Sequence, residues 1–177
     1  GGRMKYLLML LLSFPVLADV KEYEAAIAEI EATEGAYAEG LGEVYSSLGR
    51  EHYDAGRYPE ALRAYQRGVF LTRIHSGLLS LEQVPGTKMV ISTLLQLGDL
   101  ESVDHTKTYL WRVQQHGHAV GSPELTQAAL DYVYWQQVAY MRGLGEFGYQ
   151  RLILVEEVLT PLAKDHPSVY YNLFWNL

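Results

Sequence analysis

From Tyr45 onward, apolar and aromatic side chains recur every three or four positions: Tyr45, Leu48, His52 and Tyr53, then Tyr58, Ala61, Leu62, Tyr65 and Val69. That spacing predicts two amphipathic helices, interrupted by the short break Ala55-Gly56-Arg57. Gly56 suits a turn that needs positive φ. Gly49 removes a side chain where the second helix must come close. The small Ala61 is expected to face it, with Tyr45 and Tyr65 sealing the ends of the pair.

The same rhythm organises the flanks. Asp19 can cap a helix with the stripe Tyr23, Ile27, Ile30, whose other faces carry Glu22, Glu24, Glu29, Glu31 and Glu34 as a solvated surface. This helix is expected to cover the open side of the first hairpin. Further on, Pro85 opens a helix carrying Met89, Ile91, Leu94, Leu95 and Leu97. Gly98-Asp99-Leu100 then repeats the Gly56-Arg57-Tyr58 turn, and a partner helix with Val103, Leu110, Trp111 and Val113 runs to about His116. Ser122-Pro123-Glu124 caps a long aromatic helix to Leu144. After a turn at Gly143 to Gly148, its partner spans Tyr149 to Leu162 with Leu152, Val155, Val158 and Leu159 inward. Residues from Pro167 resemble the opening of another hairpin, and the stop at Leu177 suggests the N-terminal part of a longer array.

The first hairpin resembles a tetratricopeptide repeat: Tyr45, Leu48-Gly49, Tyr53, Gly56-x-Tyr58, Ala61 and Tyr65 stand at the offsets of a 34-residue unit, with Arg73 where the closing proline is usual. The resemblance implies an all-α, right-handed solenoid of antiparallel helix hairpins. Repeats are expected over about 42–75, 84–117 and 124–163, with the start of another at 167–177. Gly56 and Gly98 lie 42 positions apart, so extra length falls between Ile74 and Val84. Glu34-Gly35-Ala36-Tyr37, Leu71 to Gln83, and Leu97 to His105 with Tyr109-Leu110 resemble exported bacterial proteins with such long repeats. That likeness implies an envelope location and brings no catalytic residues.

The N-terminus points the same way. Arg3 and Met4-Lys5 precede an apolar run of about 13 residues, too short for a bilayer core of ~30 Å. Pro15 and Val16-Leu17-Ala18 follow. The expectation is a signal peptide over 4–18, cut after Ala18, which leaves no stable membrane anchor and a periplasmic protein. Gly1-Gly2-Arg3 read as a tag scar or upstream residues, and the repeat domain as 19–177.

Composition narrows the chemistry. The chain of 177 residues has no Cys, which removes disulfides, thiolate metal sites and a Cys nucleophile. Its formal charge of −7, with no basic block, argues against nucleic-acid partners. Gly143-Leu144-Gly145-Glu146-Phe147-Gly148 matches G-x-G-x-x-G, but the dinucleotide motif needs a preceding strand and here follows a helix. His116 and His118 lack a third ligand nearby in sequence and read as solvated loop residues. No hydrolase, metalloprotease or phosphate-loop motif occurs. Trp111 and Trp135 read as core or groove-wall residues.

The remaining candidate is the concave groove of the repeat array. By alignment, Arg50, Tyr53 and Asp54 face it from the first hairpin. Lys88, Ser92 and Gln96 face it from the second, and Trp135 and Arg142 from the third. Aromatics with a few cations suit an extended peptide carrying acidic groups. The sequence-level expectation is therefore a non-catalytic periplasmic scaffold that binds a protein or peptide, with no cofactor and no metal. Self-association through the C-terminal helix is a further expectation. A docking arm of an envelope enzyme or secretion complex, and a cell-wall hydrolase, are the competing classes.

Overall fold

The computed structural model describes residues 19–146, 148–165 and 167. The leader expected over 4–18 and the hairpin opening expected after Pro167 lie outside the described residues. Helix α1 spans 19–33, α2 Leu41–Asp54, α3 Tyr58–Ser76, α4 Val84–Leu97, α5 Leu100–Gly117, α6 Pro123–Met141 and α7 Gly148–Asp165, with a 3-10 turn at Leu81–Gln83. Every regular element among the described residues is helical, and neighbouring helices pack on one another within each unit. The fold is all-α and solenoid-like. The chain divides into two compact units between Gly98 and Asp99. The hairpin expected over 84–117 is thus shared out, α4 to the first unit and α5 to the second.

In the first unit, Val20 and Ile27 of α1, Leu41 and Leu48 of α2, and Ala64 and Leu71 of α3 form one buried cluster. The covering role expected of α1 follows from its apolar stripe. The Tyr45 hydroxyl ties α2 to α1 by donating to Glu31 Oε1 at 3.0 Å. Burial foremost, and that carboxylate, raise the Tyr45 pKa. The turn between α2 and α3 uses Gly56 at φ 74°, a left-handed conformation that costs glycine little.

The close approach of α2 and α3 differs in one respect from the sequence expectation. A Cβ built on Gly49 would lie 2.7 Å from Cδ1 of Tyr65, so it is the Tyr65 ring, rather than Ala61, that needs the missing side chain. Ala61 is still fully buried. One helical turn further along the crossing, a Cβ on Gly68 would meet the Gly42 carbonyl oxygen at 3.1 Å, so the two backbones nearly touch there.

Arg73 anchors the segment that joins α3 to α4. With no proline at that position, α3 continues to Ser76. Arg73 Nε donates to Gln83 Oε1 at 2.8 Å, and Gln83 Nε2 donates to the Leu78 carbonyl at 2.7 Å. Gln83 is 1% exposed, so the connecting segment is anchored on a buried amide with its hydrogen bonds made. Helix α4 then packs on α3, burying Val90, Ile91 and Leu94.

The second unit is built from α5, α6 and α7, with α5 against α6 and α6 against α7. Asp99 accepts from the Ser102 N–H at 3.1 Å, and Ser122 accepts from the Leu125 N–H at 3.2 Å, capping α5 and α6 as their sequences predict. Val133, Val155 and Leu159 are buried together, flanked by Val158 and Leu162. The glycine-rich segment from Gly143 joins α6 to α7, and no strand precedes it. Helix α7 runs past its expected end at Leu162, through Pro161, to Asp165.

Candidate functional site

Helices α2 and α4 carry the predicted residues of the first unit. Arg50 and Asp54 are exposed and Tyr53 is half-buried on α2; Lys88 and Gln96 are exposed and Ser92 is half-buried on α4. Among the described residues, the side chains of Arg50, Asp54, Lys88, Ser92 and Gln96 enter no hydrogen bond or ion pair. Tyr53 meets Tyr58 edge to face, ring centres 5.3 Å apart at 72°. The opposite faces of both helices are buried by Leu48, Gly49 and His52 on α2 and by Val90, Ile91 and Leu94 on α4. The polar set is therefore what each helix has left for solvent or a partner.

Two buried groups adjoin this set. Tyr65 is 2% exposed, and its hydroxyl has no hydrogen-bond partner among the described residues. Burial pushes its pKa up; the Arg50 charge acts against that, and Asp54 with it, so these charges lie close enough to be felt. His52 is also buried, and Arg57 Nε donates to its Nδ1 at 2.9 Å. Burial foremost, then the Arg57 charge, lowers its pKa. The imidazole is neutral, with its proton on Nε2.

In the second unit, Trp135 does not belong to an open face. It is 5% exposed and donates from Nε1 to Asp104 Oδ1 at 2.8 Å. The expectation placed it in the groove, but α6 turns Tyr134 outward instead, at 65% exposure. Arg142, the residue that follows α6, is exposed. Asp104 also receives Arg151 in a two-pronged pair: NH1 to Oδ1 at 2.9 Å and NH2 to Oδ2 at 2.7 Å. Arg151 NH1 further donates to Gln136 Oε1 at 2.8 Å, and NH2 to the Leu144 carbonyl at 3.0 Å. Burial alone would raise the Asp104 pKa, but the Arg151 and Trp135 hydrogen bonds hold it below its ordinary value. This network staples α5, α6 and α7 together. Asp104 lies 31 residues from Trp135 and 47 from Arg151, and no local spacing announces the network.

Beside it lies a cavity of about 650 Å³ between α5, α6 and α7. Trp111 and Tyr132 stack on its wall, ring centres 5.4 Å apart and planes 14° from parallel. Leu125, Leu154, Val158 and Leu162 supply apolar surface, and Arg112, Gln115 and Glu157 supply polar groups. The sequence pointed to Trp111 as core or groove wall but gave no sign of the cavity.

His116 is exposed and His118 half-buried. Among the described residues no group of three or more metal-capable side chains gathers. No described helix is long and apolar enough to cross a membrane.

No family model and no curated protein matches the chain. Among solved structures, it is similar to BtubC (BKLC) from P. vanneervenii, with a TM-score of 0.60 at 12% sequence identity. The likeness covers 86% of this chain and 56% of that one, so the chain spans about half the length of that protein. At such identity the likeness is one of fold.

Proposed function

We propose that the chain is a non-catalytic scaffold of the tetratricopeptide type that binds a protein or peptide, exported to the periplasm by the leader read over 4–18. Its binding surface in the first unit is Arg50, Tyr53 and Asp54 of α2 with Lys88, Ser92 and Gln96 of α4. The observation that carries this reading is the division of labour on those two helices. One face is consumed by the core, while the other presents cations, a carboxylate and amide or hydroxyl groups tied to nothing else among the described residues. Arg and Tyr are residue types enriched at protein interfaces, here the exposed Arg50 and the half-buried Tyr53. The orphan Tyr65 hydroxyl beside Arg50 and Asp54 adds a buried polar group whose unmade hydrogen bond costs about 1–3 kcal/mol.

Site-specific photo-crosslinking tests the reading. A photoreactive phenylalanine analogue at Ser92 or Gln96 is expected to trap a discrete partner in envelope extract. The same group at Arg63, exposed on α3, is expected to trap none. Equal trapping at all three positions would remove the assignment of this surface.

A further inference from the structure

We propose that the cavity between α5, α6 and α7 is a second peptide site, one that seats a large apolar side chain flanked by one acidic and one basic residue. The inference rests on the reading of the chain as a binding scaffold and adds a pocket with its own specificity. The cavity's volume of about 650 Å³ lies within the range of ligand pockets, about 300–1,000 Å³. Its stacked Trp111 and Tyr132 offer a flat, rigid surface to an incoming apolar group. An interface anchor of this kind is a buried aromatic or aliphatic side chain in a preformed pocket.

Charge decides what flanks that anchor. Arg112 on α5 and Glu157 on α7 both line the cavity, both are exposed, and among the described residues neither side chain is engaged in a hydrogen bond or ion pair. One wall therefore offers a cation and another a carboxylate. A fatty acid or other simple anion would satisfy Arg112 and be repelled by Glu157; a simple cation would meet the reverse. A peptide with a carboxylate and an ammonium on either side of its anchor complements both. The exposed Gln115 amide on the same lining can serve its backbone.

The test uses the full chain, with the Trp111 indole N–H as an NMR reporter. Three probes are titrated: acetyl-Glu-Ala-Phe-Ala-Lys-amide, the doubly acidic Glu-Ala-Phe-Ala-Glu form, and the doubly basic Lys-Ala-Phe-Ala-Lys form. The mixed-charge peptide is expected to give a saturable shift at Trp111 and to bind about three-fold more tightly than either other, the scale of exposed charge pairs. Arg112→Glu should move the preference to the doubly basic peptide, and Glu157→Lys to the doubly acidic one. Both positions are exposed, so folding is expected to survive each change.

No saturable shift with any probe overturns the proposal. Equal affinity for all three, unmoved by the charge variants, overturns it as well and leaves an unselective apolar cavity. A Trp111 shift that depends on protein concentration alone would assign the cavity to a second copy of the chain. A response that appears only after deletion of 168–177 would assign it to that segment; either result defeats the peptide reading. The Arg50→Ala/Tyr53→Ala/Lys88→Ala variant should titrate as wild type. Failure here, with crosslinking at Ser92 intact, would remove this pocket and leave the scaffold standing.

Discussion

The Tyr65 ring lies across Gly49 so closely that a β-carbon on Gly49 would stand 2.7 Å from the ring's Cδ1 and 2.8 Å from its Cε1. Real β-carbons do not approach that near, and the ring cannot yield without leaving its buried site. Gly49→Ala is therefore expected to destabilise the chain by overpacking, by about 1–3 kcal/mol, less up to about 1 kcal/mol recovered because Ala favours a helix over Gly. Chemical denaturation of single and double variants checks this. With Tyr65→Ala in the background, the added cost of Gly49→Ala should vanish or reverse. An undiminished cost would mean that the ring is not the obstacle.

The Asp104–Arg151 pair makes a pH prediction. Asp104 is held below its ordinary value in the folded chain. The unfolded carboxyl titrates near about 3.9. A depressed carboxylate contributes stability that is present above the unfolded pKa and is lost as the pH falls through the folded one. The wild type should therefore lose this contribution below about pH 4. Arg151→Met should cost about 3 kcal/mol at neutral pH, because it strands a largely buried carboxylate. Adding Asp104→Asn should recover part of that loss, since the amide carries no charge and can still accept from Trp135. Melting temperatures of the three proteins from pH 3 to 7 decide the matter. Equal stability of Arg151→Met and wild type would contradict the network's role.

His52 titrates in a higher window. Its folded pKa is lowered by burial and by Arg57, whereas the unfolded imidazole titrates near about 6.5. The unfolded chain then takes up a proton that the folded chain refuses. Stability contributed by neutral His52 is present above about pH 6.5 and is lost as the pH falls toward the folded value. A His52→Gln variant should show a flatter stability profile between pH 5 and 7 than wild type. Identical profiles would mean that folding leaves the His52 pKa unmoved, against the shift that burial and Arg57 impose.

Export has a covalent readout. If residues 4–18 are a leader cut after Ala18, the protein recovered from the periplasmic fraction of an expressing bacterium begins at Asp19. Intact-mass measurement of that fraction checks it. An unprocessed chain confined to the cytoplasm would remove the export part of the account.

What the sequence made legible was what repeats locally. The turn glycines Gly56 and Gly98 adopt φ of 74° and 72°. The caps at Asp99 and Ser122 form as their side chains predict, and helices α2 to α7 fall close to where periodicity put them. The contacts between helices were less legible. Trp135, which the sequence allowed as core or groove wall, proves buried; the choice was open because α6 carries apolar residues on every side: Tyr132, Val133 and Trp135 are buried while Tyr134 and Met141 are exposed. Its period therefore does not single out an inward face. Gln83, Gln136 and Arg151 are buried polar residues whose partners lie across a loop or on another helix. Such pairs leave no periodic trace. The boundary at Gly98–Asp99 was hidden for a related reason, since its turn matches the Gly56 turn inside one hairpin while the packing on either side differs.

If the exposed face of α2 and α4 holds the partner, as proposed, removing three of its side chains must release that partner. Mature wild-type protein and the Arg50→Ala/Tyr53→Ala/Lys88→Ala variant, matched in melting temperature, are immobilised and exposed to the same envelope extract. A discrete partner is expected on wild type and is expected to be depleted at least ten-fold on the variant, about 1.4 kcal/mol or more of binding energy spread over three side chains. Equal recovery of that partner by both proteins would contradict the proposal.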